Sequence, residues 1–394
     1  MICRWHASIC ELPTTSWQQL DSSGGYPFLR REFLETLETS GCVSRATGWE
    51  PWHASVWEGD QLLAVMPSYR KYHSRGEYVF DFQWAEAYRH FPDPMTGLRG
   101  RDYYPKLLTA VPFTPASGPR LLMAKGVEVQ AVLKCLLEAI QQQLTAIGEP
   151  GASLSSWHLL FPDQQQLASL QATWPETLLE RHGCQFHWFN RGYEDFDAFL
   201  AAMTSKRRKE IRRERRKVEA QELTLERFSG AAITQQMLRQ FFGFYQMTYH
   251  LRGQHPYLTE EFFVELLKGM SDSLMLVLAE YQGQKVAGAL FFEDATTLYG
   301  RYWGALVDAD CLHFEACYYQ GIEYAIERGL QRFDPGTQGE HKIPRGFEPV
   351  MTHSLHALPD PGFAAAVKEF LGRERLAVAD YAEQARQLLP FRKS

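Results

Sequence analysis

Cysteine is sparse in this sequence, and what there is has no structural arrangement. The seven residues, Cys3, Cys10, Cys42, Cys135, Cys184, Cys311 and Cys317, are odd in number, scattered and without a CxxC pair. That pattern argues against a disulfide framework or a cysteine zinc site and implies reduced thiols. No stretch reaches the roughly 18 to 20 apolar residues that span a bilayer. The opening MICRWHASICELPTT lacks a basic segment followed by an apolar core, so a cytoplasmic protein without a secretory signal is expected. A Walker loop, an HExxH pair, an ordered Ser/His/Asp set and a His cluster at metal spacing are all missing, and no metal site is expected. What remains, 45% hydrophobic and 22% charged over 394 residues, is a globular composition long enough for two domains. It does not set the oligomeric state.

The net charge of −6 hides a segregation. Residues 206–217, KRRKEIRRERRK, hold nine basic and two acidic side chains, which leaves 32 basic against 45 acidic in the rest. A basic patch on an acidic body is a localised anion site. The spacing predicts one long helix from Phe196 through the basic run, with Phe196, Phe199, Leu200, Met203, Ile211 and Val218 on one stripe. Arg207, Arg208, Arg212, Arg215 and Arg216 would grip phosphates through their guanidinium forks. The plain alternative is a solvated helix whose Glu210 and Glu214 pair internally.

Two regions echo each other. ASVWEGDQLLAVMPSY at 54–69 and VLAEYQGQKVAGALFF at 277–292 each read as strand, turn and strand, followed by aromatic segments at 77–85 and 298–306 that read as third strands. Prolines 105, 112, 115 and 119 forbid a regular helix at 103–122, and a helix is expected over 126–147. Further helices are expected at 258–270, capped by Thr259, and from Pro361 to about Leu388. The chain thus reads as two sequential copies of one α/β unit, residues 1–189 and 190–394, the second carrying the basic helix 204–219.

The richest chemistry lies at 297–347. A strand, with Tyr299, Arg301 and Trp303 on one face and Gly300 and Tyr302 on the other, runs into a helix marked by Phe314, Tyr318, Ile322, Ala325 and Ile326. Acyltransferases of the GNAT type hold the pyrophosphate of coenzyme A at such a junction, on backbone N–H groups of a Gly-rich turn. Here the junction reads Asp308-Ala-Asp-Cys-Leu-His-Phe-Glu315, with three carboxylates and no glycine, which repels a pyrophosphate. Glu315 or His341 would serve as base and Tyr302 as acid, with Glu315 equally readable as a buried partner of Arg301. His313 and Trp303 flank them. The loop from Asp334 to Gly346 supplies Gln338, His341, Lys342 and Arg345, the last two suited to a phosphate or carboxylate.

Together with TGWEPWHASVWEGDQLLAVMPSY, GCQFHWFNRGYEDFDAFL, SKRRKEIRRERRKV and HFEACYYQGIEYAIERGLQRFDPGTQGEHKIPRGFEPV, these blocks resemble a bacterial family of FemAB-like proteins, related to the Fem aminoacyltransferases of peptidoglycan cross-bridges. The resemblance implies an α/β fold of two tandem GNAT-like (acyl-CoA N-acyltransferase) domains, each a mixed central sheet flanked by helices. It also implies acyl transfer to an amine acceptor, with no bound cofactor and with aminoacyl-tRNA favoured over acyl-CoA as donor. The extended helical arm of some Fem ligases is missing. On this reading Glu315, His341 and Tyr302 are catalytic. Lys342, Arg345, Arg301, Arg207, Arg208, Arg212, Trp303, His313 and Gln338 bind substrate, tRNA or a phosphate-bearing precursor. A non-catalytic module binding RNA or a cell-wall precursor, and an acetyl-CoA-dependent N-acetyltransferase, remain open alternatives.

Overall fold

A computed structural model describes residues 1–21, 25–93, 96–97, 99–145, 154–174, 178–337 and 339–392. Two compact units divide the chain, the first built from 1–183 and 351–379 and the second from 184–350 and 380–394. Among the described residues no helix is long and apolar enough to cross a membrane.

The first unit begins with strands β1 (Ile2–His6), β2 (Leu20–Asp21), β3 (Trp49–Pro51), β4 (His53–Glu58), β5 (Gln61–Met66), β6 (Ser68–Lys71), β7 (Lys106–Thr109), β8 (Leu122–Ala124) and β9 (Trp157–Leu160). One sheet orders them β1-β4-β5-β8-β2, and a second run is β9-β7-β6-β3, with β7 parallel to β9. Helices α1 (Val129–Thr145) and α2 (Gln164–Thr173) add Val132, Leu136, Ile140, Leu167 and Leu170 to the core. Each such buried side chain contributes about 1.5–3 kcal/mol by leaving water. The expected strand at 77–85 is instead a bend leading into the helix Phe82–His90. Trp84 and Tyr88, one turn apart, bury together with Tyr103 and Phe363, so helical spacing wins over aromatic content. The next strands come later, β7 inside the proline-rich segment and β8 at its end.

The second unit takes strand β10 (Leu179–Phe189) from Cys184 onward, then α3 (Phe196–Ala201) and α4 (Ser205–Ala220). The single long helix expected here is broken. Thr204 adopts extended backbone and gives its N–H to the Pro390 carbonyl at 2.9 Å, so α4 restarts at Ser205. Strand β11 (Leu223–Ser229), helices α5 (Gln235–His250) and α6 (Glu260–Met270), and strands β12 (Leu274–Tyr281), β13 (Gln284–Glu293), β14 (Thr297–Ala305) and β15 (Arg332–Asp334) follow. The sheet order is β11-β12-β13-β14-β15-β10. Thr259 caps α6 as expected, accepting from the Phe262 N–H. Strand β16 (Glu348–Ala357) and helix α8 (Pro361–Gln387) end the described chain, and β16 pairs antiparallel with β9, Ser354 opposite Leu160.

Helix α7 crosses the second unit's sheet. It is regular at Leu312–Phe314, widens to a π turn over Glu315–Tyr319, and resumes at Gln320–Glu327. A π turn inserts a residue, rotating everything after it and loosening the local ladder. It places Tyr318, Tyr319 and Ile322 in the unit's core beside Phe333 and Phe347.

Candidate active site

Strand β14 sets the frame. Leu290 faces Tyr302 while Phe291 faces Gly300, so Arg301 is an extra residue in a β-bulge. The alternation expected from sequence therefore breaks at Arg301, whose side chain is only 2% exposed and whose Nη2 bonds Asp334 Oδ2 at 3.0 Å. Burial works against the Asp334 charge, but Arg301 and His187 overcome it and hold the carboxyl well below its usual range.

Beyond Tyr299, β14 outruns β15, since their parallel pairing covers only Thr297, Leu298 and Tyr299. The Leu306 N–H is already spent on the Val286 carbonyl at 2.8 Å. By antiparallel alternation the Trp303 and Ala305 N–H groups then face away from β13, toward the side where β15 has ended. The Trp303 carbonyl points the same way and accepts from Thr248 of α5 at 3.2 Å. On the opposite face α5 lies directly on the strand. A Cβ at Gly304 would sit 2.0 Å from the Phe244 carbonyl, so only glycine allows this approach.

An aromatic cluster stands beside this open edge. The Trp303 ring lies 5.4 Å from His313, His313 lies 5.3 Å from Tyr318 and 6.3 Å from His341, and Phe314 lies 5.9 Å from His341. The exposed His341 imidazole has Nε2 2.8 Å from the Tyr318 hydroxyl. Its ring occupies the space a side chain at Gly339 would need, which explains the glycine there, at a φ of 110°. Burial, then Lys342 and Arg345, lowers the His341 pKa, and burial reinforced by the same cations and His341 pushes His313 down to about 4. Both imidazoles are neutral near pH 7.

Lys342 is 1% exposed and donates to the Gly336 carbonyl at 2.6 Å. Desolvation pulls its pKa down to about 7, opposed by Asp334. Arg345 is committed elsewhere. Its Nη2 bonds Glu214 at 2.7 Å, its Nε bonds the Tyr319 hydroxyl at 3.0 Å, and its guanidinium caps the Phe314 ring at 3.5 Å. Tyr319 also donates to Glu214.

The structure thus gathers Trp303, His313, His341, Lys342 and Arg345, and links Arg301 to them through Asp334. It places the other candidates apart. Tyr302 packs against Tyr245, Phe263 and Phe292, on the face away from His313. Glu315 is buried, but its partner is not Arg301. Arg215 grips it with Nε and Nη2 at 3.1 and 3.0 Å, and Gln320 donates at 2.8 Å. Burial raises the Glu315 pKa against the pull of Arg215. Glu214 pairs outward with Arg345, while only Glu210 pairs within the helix, with Arg207 at 2.6 Å. Arg212 meets Asp197 at 2.7 Å. Among the described residues, Arg208, Lys206, Lys209, Arg213 and Arg216 have no carboxylate within ion-pairing distance, and Arg208 meets only the Ser205 hydroxyl at 3.4 Å. Gln338 lies outside the described residues.

Sequence reading did not bring Tyr318 beside His341, and it gave Arg215 a phosphate where the structure pairs it with Glu315. Tyr318 sits on the apolar helical stripe and reads as core, and its hydroxyl's use shows only when His341 is brought beside it. At the turn before α7, Asp310 is tied to Lys217 at 2.5 Å, and the Asp310 N–H is taken by Gln221 at 3.0 Å.

Comparison with known proteins agrees with this architecture. The model of the FemAB-like family, described as peptidoglycan biosynthesis/recognition, matches residues 8–393. No curated protein matches the sequence. Among solved structures, FemX aligns with a TM-score of 0.50 at 11% identity, covering 93% of this chain and 100% of its own. L-PGS from Bacillus licheniformis aligns with a TM-score of 0.50 at 10% identity, covering 87% of this chain and 96% of its own. The C-terminal domain of a putative lysylphosphatidylglycerol synthetase from Agrobacterium fabrum aligns with a TM-score of 0.50 at 9% identity, covering 86% and 90%. At these identities the likeness is one of fold, and that fold is the α/β, tandem GNAT-like one expected from the sequence.

Proposed function

The chain belongs to the FemAB-like family, and on that footing we propose that it is an N-acyltransferase that moves an aminoacyl group from a tRNA ester to an amine, with the chemistry in the second unit. The observation that carries this reading is His341, an exposed, neutral imidazole bonded to Tyr318 beside the open edge of β14. The acceptor amine attacks the ester carbonyl while His341 takes the amine's proton. The Trp303 and Ala305 N–H groups receive the oxyanion as the carbonyl becomes tetrahedral. Collapse breaks the ester C–O bond, and the proton on His341 passes to the departing oxygen. Glu315, doubly bonded to Arg215, acts as a positioning residue that fixes the π turn. Tyr302 supports β14 from its other face.

The preference for a tRNA donor over acyl-CoA rests on the turn before α7. It presents Asp308 and Asp310, and its Asp310 amide is already bonded to Gln221, so an incoming pyrophosphate meets negative charge and one donor fewer. The unpaired cations of α4 are suited to the phosphates of the donor or of a cell-wall precursor. Those same cations are what favours the second reading, a non-catalytic anion-binding module.

The test is incubation of the purified chain with charged tRNA, or with a panel of acyl-CoA thioesters, plus amine acceptors that include lysine-bearing muropeptides, read by mass spectrometry. An acceptor heavier by one aminoacyl group, formed only with charged tRNA, is the expected result. Product from acyl-CoA alone overturns the donor, and no product alongside tight RNA binding favours the module.

A further inference from the structure

Strand β10 places Glu180 and His182 two residues apart, on one face, and the neighbouring strand β16 brings His353 to the same place from far along the chain. The strands lie close here, for a Cβ at Gly183 would come within 2.7 Å of the Thr352 hydroxyl. His353 Nδ1 is 2.7 Å and His182 Nε2 3.1 Å from the same carboxylate oxygen, Glu180 Oε1. The imidazole rings meet edge to face at 5.0 Å, and the three ligand-capable atoms all lie within 4.8 Å of one another. We propose that Glu180, His182 and His353 form a divalent-metal site in the first unit, matched to zinc, which nothing in the acyl-transfer reading requires.

Two imidazoles and one carboxylate are a zinc donor set, and three protein ligands leave a fourth position for water. Ligands about 2.0–2.1 Å from a tetrahedral ion stand roughly 3.4 Å apart. The present spacings to Oε1 need only to widen by a few tenths of an ångström, through small side-chain rotations. Here both imidazoles lie as N–H donors to Oε1. On binding each shifts its proton to the other ring nitrogen or sheds it, and the freed lone pair turns to the ion.

The surroundings are those of a site that an ion can enter. The side chains of Glu180, His182 and His353 are 18%, 19% and 15% exposed, enough for access and too little for free rotation. Glu180 Oε2 accepts from Gln171 Nε2 of α2 at 3.0 Å, an outer partner that orients the carboxylate and leaves Oε1 for the metal. The nearby cation that works against an ion is Arg375, which donates to the Glu180 backbone carbonyl at 3.2 Å and so faces the peptide rather than the carboxylate. Sequence inspection finds no metal motif because the third ligand is distant in the chain and arrives only through the β10–β16 pairing.

The experiment uses the full chain, stripped with a chelator, dialysed and titrated with Zn²⁺ by calorimetry, with bound metal counted after gel filtration. One equivalent per chain is expected. His353→Gln and His182→Gln should each weaken binding at least about 100-fold, beyond the 10–100-fold typical of an outer partner, and Gln171→Ala about 10-fold. Should a histidine variant fold poorly, Co²⁺ added to the unaltered chain gives an independent readout. Nitrogen and oxygen ligands produce visible d–d bands without a thiolate charge-transfer band. No bound zinc, unchanged affinity in folded His353→Gln, or a thiolate band from the free cysteines would overturn the proposal.

Discussion

Arg215 and Glu315 form a two-point ion pair from α4 to the π turn of α7, with a third contact from Arg215 Nη1 to Glu323 at 2.5 Å. Glu315 is buried, so removing the arginine strands a charge away from water. Arg215→Ala is expected to cost about 3 kcal/mol, read from urea unfolding. A change below about 0.5 kcal/mol would mean that the pair does not hold the turn.

If Glu315 positions rather than reacts, Glu315→Gln keeps one oxygen to accept from Arg215 Nη2 and Gln320 and loses only the bond from Arg215 Nε, so kcat should stay within about tenfold of the unaltered chain. A general base's loss costs typically 10²–10⁴-fold. A fall of that size in a folded Glu315→Gln protein would move the base from His341 to Glu315.

The pH profile distinguishes the same roles. The His341 pKa lies below 6.5, so the base is ready at neutral pH and kcat/KM should fall only on the acid side, with a midpoint under 6.5. Tyr318→Phe should move that limb, because it deletes the hydroxyl on Nε2. An acid limb above pH 7 is incompatible with His341.

Lys342 makes a separate pH prediction on stability. Its folded pKa is depressed from 10.5 to about 7, so between those values the unfolded chain holds a proton that the folded chain has shed. Stability therefore rises with pH across that window, by up to about 1.4 kcal/mol per unit, and is lost on going down toward pH 7. Lys71 in the first unit has the same depressed value, so the informative quantity is the difference between the unaltered chain and Lys342→Met. The substitution should shrink the slope, and parallel curves would contradict it.

At Gly304 the backbone of α5 leaves no room, with Phe244 atoms 2.0 Å from where a methyl group would stand. Gly304→Ala is expected to destabilise by about 3 kcal/mol or more through overpacking, seen as a lower thermal midpoint. Retained stability would mean that α5 can lift from β14.

The hairpins were visible in the sequence because their turns carry the required residues. Gly59 and Gly283 take positive φ, 57° and 78°, at the turns between the paired strands. Helix α6 was legible from Thr259. Three of the misread elements share a cause, a local interruption of the repeat, whereas 77–85 was misread because its aromatic content hid a helical spacing. The Arg301 bulge, the π turn at Glu315–Tyr319 and the break at Thr204 each reset a periodicity that pattern reading takes as continuous. Partners were harder still, since Arg301 finds Asp334 and Arg215 finds Glu315 only through tertiary contact. In the site, residue types were legible and their grouping was not, which is why Tyr302 looked like a neighbour of His341 and Tyr318 did not.

The most direct test is a single-turnover reaction of charged tRNA with an amine acceptor, comparing the unaltered chain with His341→Ala at matched folding and matched RNA binding. Aminoacylated acceptor is expected from the first, and at least about a hundredfold slower formation from the second. Equal rates in the two proteins, or no transfer by either, would contradict a His341-driven aminoacyl transfer.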